Sequence, residues 1–316
     1  HFSEPTFLAH LEPRITTLEK PLVIGVDVVG ARITRPQNPH IPITPEEIAR
    51  EVVESVHAGA TIAHVHVRDK QGFATEEPAL NKQVWDIVFN EVGDDIVTSN
   101  HIMYDRTVRG LAMFKGYIDP LVEWNPKYLQ AAAVVTSDFS EMRGPLAYNI
   151  SDEELTQLVT YLEERGVKPE LQMYAHGSLA RIEHALLHGT SMIRRPIWIN
   201  MHLGKHHSPP VSIDPLSYIE VINWYTYVKA ALTKEDVVLG IYVGGRNWLP
   251  LTVLAVMMGA DVVRVGMEDC LYMYPHKDDL IASNRSTVEK IVAVAEHLGR
   301  PVANRAQTRK ILGFDI

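Results

Sequence analysis

Residues Thr61–Asp69 read Thr-Ile-Ala-His-Val-His-Val-Arg-Asp, which sets two imidazoles, His64 and His66, two residues apart in a β-branched run. On a strand that spacing puts both rings on one face. The polar residues Arg68, Asp69 and Lys70 follow at once, so the pair lies near the strand's C-terminal end. Two neutral imidazoles there make half of a metal site. A second run, Val262-Val263-Arg264-Val265-Gly266-Met267-Glu268-Asp269, gathers a guanidinium and two carboxylates around another strand end. Glu268 could complete a His, His, Glu triad, and three protein ligands leave a coordination position open on an ion such as zinc, as catalytic sites require. Plainer readings exist for each run alone: histidines satisfied inside a core, and an acidic pair capping a loop.

Other polar residues collect near strand ends. Thr98, Ser99 and Asn100 end one strand candidate and Thr136 and Ser137 the next, while Glu170 opens a third after Pro169. His176 and His202 also fall at strand ends, where a hydrogen-bonded core histidine is the common case. Gly244-Gly245-Arg246-Asn247 could offer backbone N–H groups to a phosphate. Lys205, His206 and His207 add positive charge, as solvated runs often do. Cys270 carries no mark of a nucleophile.

The elements that must position these groups follow one alternation. Short β-branched runs alternate with amphipathic helical patterns from about residue 21 to residue 299. The strand candidates are Pro21–Gly30, Thr61–Arg68, Asp95–Asn100, Ala131–Thr136, Glu170–Ala175, Pro196–Leu203, Val237–Val243 and Asp261–Gly266. Thr44-Pro45-Glu46-Glu47 and Ser151-Asp152-Glu153-Glu154 are helix-opening capping boxes. Eight such pairs predict a closed (β/α)₈ TIM barrel, whose active site is built at the strands' C-terminal ends. An open dinucleotide-binding sheet is disfavoured, since no Gly-x-Gly-x-x-Gly follows the first strand.

Composition bounds the reading. The 316 residues, 46% hydrophobic, can bury a large core, and no linker divides them, so residues 1–316 are expected to form a single barrel domain with short terminal extensions. A net charge of −9 gives no basic face for nucleic acid. One cysteine rules out an intrachain disulfide framework. No stretch reaches transmembrane length and residues 1–20 lack the pattern of a signal peptide, so a soluble, cytoplasmic protein without membrane contact is expected.

Four blocks in order carry a resemblance. They are Gly30-Ala31 with Pro42-Ile43-Thr44-Pro45-Glu46-Glu47-Ile48, then Gly59-Ala60 leading into His64–Asp69, then Arg264–Asp269, then Ser283-Asn284. Together they make the chain, from about Pro21 to Leu312, resemble the β-keto acid cleavage enzymes, zinc-dependent barrels whose founding activity is 3-keto-5-aminohexanoate cleavage. The resemblance implies His64, His66 and Glu268 as ligands of Zn²⁺ or another divalent ion, and Asp269 as the base. It implies that Asp269 is held by Arg264 and a strand-three hydroxyl, Ser99 or, one residue on, Asn100 in its place. Thr136 would bind substrate. The family's Pro-Glu-x-Glu pattern stands here as Pro169-Glu170-Leu171-Gln172, which keeps only the first acid; Glu170 is the substrate-binding candidate, and which of the two positions matters stays open. Acetyl-CoA would be the co-substrate, acetoacetate and a new acyl-CoA the products, and a homo-oligomer, with a tetramer in view, the assembly.

Arg32 departs from the family pattern. Members acting on amine-bearing substrates carry an acid directly after Gly-Ala, and a guanidinium there points instead to a keto acid with an anionic or neutral polar tail. The rival reading is a metal-dependent hydrolase of the amidohydrolase type, using His-x-His with His176, His202 and Asp269. Its His-x-His belongs on the first strand, not the second, and it has no use for Arg264.

Overall fold

The computed structural model describes residues 13–75, 77–102, 108, 110–140, 147–188, 193–205 and 208–314. Eight of its strands are parallel and sit where the β-branched runs lie: β1 (Val23–Asp27), β2 (Ile62–Val65), β3 (Val97–His101), β4 (Ala131–Val135), β7 (Lys168–Met173), β8 (Ile197–Leu203), β9 (Val237–Val243) and β10 (Val262–Val265). They close in the order β1-β10-β9-β8-β7-β4-β3-β2. The helices α1 (Pro45–His57), α2 (Pro78–Val92), α3 (Ala112–Trp124), α4 (Asp152–Glu164), α5 (Ser178–Arg181), α6 (Leu216–Ala231), α7 (Trp248–Met257) and α8 (Asn284–His297) follow the barrel strands in turn. This is the expected (β/α)₈ barrel. A small antiparallel hairpin, β5 (Phe139–Ser140) and β6 (Ala147–Tyr148), precedes α4 and was not foreseen.

Local chemistry starts the helices as the capping boxes require. The Thr44 hydroxyl accepts from the Glu47 amide at 3.3 Å while Glu47 accepts from the Thr44 amide at 3.1 Å. Ser151 and Glu154 repeat the exchange at 3.1 and 2.8 Å. Most strands end earlier than the β-branched runs do. Val28–Gly30 and His66–Arg68 leave the ladder while staying buried, and build the mouth rather than the sheet.

The period of two along each strand sorts the barrel interior by height. Val23, Ile62, Val97, Ala131, Trp198, Val238 and Val262 form one apolar cluster at the strand starts. Two residues further along, the same faces carry His64, Ser99, Glu170, Asn200 and Arg264, all buried. The segment after Gly299 is one of the expected terminal extensions, but it does not hang free of the barrel. Helix α9 (Arg305–Leu312) instead closes the floor: Leu312 is fully buried in the apolar cluster, and the Thr308 and Thr61 hydroxyls meet at 2.7 Å. An open end of eight short strands leaves apolar side chains uncovered, and α9 is the nearest cover.

Candidate active site at the barrel mouth

Four devices aim the site. Gly30 lies against Glu268 so closely that a Cβ there would fall 2.3 Å from Glu268 Cγ, so the glycine is what admits the carboxylate. Gly266, at φ +149°, would bring a Cβ to 2.2 Å from the Asp27 carbonyl oxygen, and lets β10 turn against β1. Asn284 ties the ends of both strands together. Its Oδ1 accepts from the Met267 amide at 2.8 Å, and its Nδ2 donates to the Val28 carbonyl at 3.1 Å. Arg68, buried, donates to the carbonyls of Gly30 and Ile33 and fixes the loop after β1.

Within this frame His64, His66 and Glu268 bring their ligand atoms within 4.8 Å of one another, all three side chains buried. The two Nε2 atoms are 3.4 Å apart, and Glu268 oxygens stand 3.5 Å from His66 Nε2 and 3.8 Å from His64 Nε2. Donors bound tetrahedrally to zinc at about 2.0–2.1 Å lie roughly 3.3–3.4 Å apart, so the separations fit a shared ion better than direct hydrogen bonds. Burial and the Arg264 charge hold His64 well below the usual imidazole range, which keeps it neutral, as a ligand must be. Burial pushes Glu268 up, but the Lys205 ammonium and the two histidines outweigh it and hold the carboxylate well below its ordinary range.

A second network runs beneath. Arg264, almost wholly buried, donates from Nε to Asp27 at 2.7 Å and from NH1 to Glu170 at 2.5 Å, and its NH2 reaches Glu268 at 3.5 Å. Glu170 also accepts from the Ser99 hydroxyl and from Asn200 Nδ2 at 2.6 Å. Burial, opposed by Arg264 and helped by Glu268, raises Asp27 to about 7. Asp269 belongs to neither group. Its carboxylate pairs with Lys205 Nζ at 2.5 Å and lies 3.4 Å from the Tyr242 hydroxyl. The expected grip of Arg264 and Ser99 on Asp269 is therefore not the arrangement found: both are committed to Glu170. Four carboxylates, Asp27, Glu170, Glu268 and Asp269, thus face two cations, Arg264 and Lys205.

The strand-three ambiguity resolves. Ser99 Oγ lies inside, 3.3 Å from His64 Nδ1, whereas Asn100 points to the other face and donates to the Tyr128 carbonyl at 2.9 Å. Thr136 sits at the mouth, but its hydroxyl proton goes to the Gln172 carbonyl at 2.9 Å. Arg32 is exposed on the loop after β1, two residues beyond Gly30. His176, needed by the hydrolase reading, is exposed and faces Glu220 at 3.2 Å, and His202 is buried against the Tyr174 ring at 4.4 Å. The Gly244 and Gly245 amides bond the carbonyls of Leu203 and Asp269, and Arg246 pairs with Asp278, so that turn offers no phosphate cradle. His206 and His207 lie outside the described residues.

Four residues escaped the sequence reading of the site. Asp27 and Asn200 were passed over inside apolar runs, although a lone polar residue at an inward position is itself a signal. His101, stacked on His66 at 4.6 Å, was hidden by its place past the strand-three candidate. Lys205 was read as solvated charge, yet its side chain is only 5% exposed.

Fold and site together define a barrel enzyme with a metal-competent, carboxylate-rich mouth. The chain belongs to the beta-keto acid cleavage enzyme family, whose model matches residues 21–314. It is an enzyme of β-keto acid cleavage. It is 28% identical to a 3-keto-5-aminohexanoate cleavage enzyme of Acetoanaerobium sticklandii, with 93% of this chain and 98% of that protein covered. It is 25% identical to a 3-dehydrocarnitine:acetyl-CoA trimethylamine transferase of Rhizobium meliloti, covering 94% and 97%. It is 23% identical to a 3-oxoadipate:acetyl-CoA acetyltransferase of Cupriavidus necator, covering 94% and 96%. The fold is similar to the apo structure of ObcA, with TM-score 0.71 at 18% identity over 87% of this chain and 66% of that one. Among the described residues no helix is long and apolar enough to cross a membrane.

Proposed function

We propose that this enzyme condenses a β-keto acid with acetyl-CoA and releases acetoacetate and a new acyl-CoA. The observation that carries the reading is the placement of Asp269 beside the His64, His66, Glu268 triad at the barrel mouth. A divalent ion held there, zinc by resemblance, would supply Lewis-acid stabilisation to the keto and carboxylate oxygens of the substrate. Asp269 takes the C2 proton, because Glu268 as a ligand is not free to do so. The C2 carbanion attacks the thioester carbonyl of acetyl-CoA, CoA passes to the keto acid's own acyl carbon, and the bond between that carbon and C2 breaks. The former C2 takes its proton back from Asp269 and leaves with the acetyl group as acetoacetate. Arg264 does not touch Asp269; it bonds Glu170 and Asp27 beneath the site, and Glu170 in turn accepts from Ser99, which stands against His64.

Arg32 sets the tail preference in this reading, favouring a 3-oxo dicarboxylate, a class to which the substrate in one relative's name belongs. Assembly as a homo-oligomer, a tetramer by resemblance, in the cytoplasm completes it. The test is acetoacetate formation from acetyl-CoA and a panel of 3-keto acids differing in tail charge, on zinc-loaded and chelator-treated protein. Metal-dependent product, fastest with an anionic tail and slowed in Arg32→Glu, is expected. No product from any acid overturns the reaction, and an unchanged substrate order in Arg32→Glu overturns the role of Arg32.

A further inference from the structure

We propose that Lys205 is the positioning residue for Asp269, taking the part the family resemblance gave to Arg264; the inference rests on the reading that Asp269 removes the C2 proton. Arg264 is unavailable for that part, since its donors are spread over Asp27, Glu170 and Glu268. Lys205 is placed for it by backbone geometry. Gly204 ends β8 at φ +75°, and a Cβ there would fall 2.2 Å from the Gly244 carbonyl oxygen, so the chain turns inward at a point only glycine permits. The Lys205 amide then donates to the Ser208 hydroxyl at 2.8 Å and the Gly204 amide to the Pro209 carbonyl at 2.9 Å, which locks the turn. From there the side chain runs inside between two aromatic rings, its Nζ 4.4 Å from the centre of Tyr242 and 5.6 Å from that of Tyr174.

The ammonium meets Asp269 Oδ2 at 2.5 Å and Glu268 Oε1 at 3.3 Å. It therefore bridges the base and the ligand triad. A flexible four-carbon stem is ordinarily a poor ruler, but ring faces on two sides and near-complete burial remove that freedom. Among the described residues the other side-chain partner of the Asp269 carboxylate is the Tyr242 hydroxyl at 3.4 Å, too long to fix a carboxylate. Lys205 thus sets which oxygen of Asp269 faces the substrate, at a distance that a shorter or neutral side chain does not reproduce.

The experiment compares Lys205→Met, Lys205→Gln and Lys205→Arg with wild type, using the panel acid that wild type turns over fastest. Three readouts are taken: kcat and KM with acetyl-CoA, enzyme-dependent C2–H exchange into D2O without acetyl-CoA, and zinc per chain. Both neutral variants are expected to lose at least tenfold in kcat and in C2 exchange, with KM for the keto acid within threefold and zinc content unchanged. Lys205→Arg is expected to regain part of both. Wild-type kcat in the neutral variants overturns the proposal, and so does a loss that tracks zinc content. A wild type that neither exchanges C2–H nor forms acetoacetate refutes the underlying reading instead. If Lys205→Met does not fold by circular dichroism, Lys205→Gln, closer in length and polarity, decides.

Discussion

On β10 the floor residue Val262 and the network residue Arg264 share one face two positions apart, as do Ile62 and His64 on β2, Val97 and Ser99 on β3, and Trp198 and Asn200 on β8. Below lies an apolar layer sealed by Leu312; above lies a layer of charges with equally little solvent. The two are equally buried and do opposite work. Apolar burial contributes about 1.5–3 kcal/mol per large side chain. A buried ion-pair network at best offsets the cost of desolvating its members. The floor therefore supplies stability that the mouth consumes, and the strands are the rigid link that lets one support the other.

Cutting each layer separately should separate activity from stability. The largest effect is expected in Asp269→Asn, which removes the proposed base at the rim: a loss in kcat of about 10³-fold, roughly 4 kcal/mol in barrier, with a much smaller loss of stability, since Lys205 keeps Glu268. A stability loss as large as the barrier change would mean that Asp269 belongs to the structural network after all. Next comes Arg264→Met, which leaves Asp27 and Glu170 buried without their cation and should cost about 3–5 kcal/mol of stability as well as activity. The triple variant Arg264→Met, Asp27→Asn, Glu170→Gln should recover most of that stability while activity stays lost. Recovery of both would show that the network is not needed for chemistry.

The floor and the mouth were also unequally legible in the sequence. The floor follows from hydrophobic alternation and β-branched runs, so all eight barrel strands are legible in the sequence. Of the mouth, His64, His66, Glu268, Asp269 and Arg264 were visible as types and spacings, but who holds whom was not. Arg264 lies in the same strand-end block as Asp269, yet its guanidinium points into the barrel, to Asp27 on neighbouring β1 and to Glu170 on β7. Side-chain direction at a strand end depends on register and on where the ladder stops, which β-propensity leaves open. The role of α9 was hidden for a related reason: a short polar helix with Leu312 at its end reads as surface until the open floor beneath it is known.

A smaller effect tests the seal. Leu312→Ala removes buried apolar contact at the floor and should cost about 2–4 kcal/mol in urea unfolding, with kcat within about twofold of wild type at 25 °C. A tenfold fall in kcat would mean that the mouth is not mechanically independent of the floor, and the layered description would need revision.

The smallest expected effect concerns a charge placed among floor residues. Lys168 precedes Glu170 by two positions at the start of β7, its Nζ has no partner among the described residues, and burial lowers its pKa from 10.5 to about 8. At pH 7 the folded protein therefore carries a buried ammonium that the unfolded chain would hydrate. Between about pH 8 and pH 10.5 the unfolded chain binds more protons than the folded one, so this group makes stability rise with pH across that window. Lys168→Met should raise stability at pH 7 by about 1–3 kcal/mol and remove the rise. Urea titrations at pH 7 and pH 10 measure both. A less stable Lys168→Met at pH 7 would mean that the lysine's charge serves the floor, and that the division between an apolar base and a charged mouth is less complete than the layers suggest.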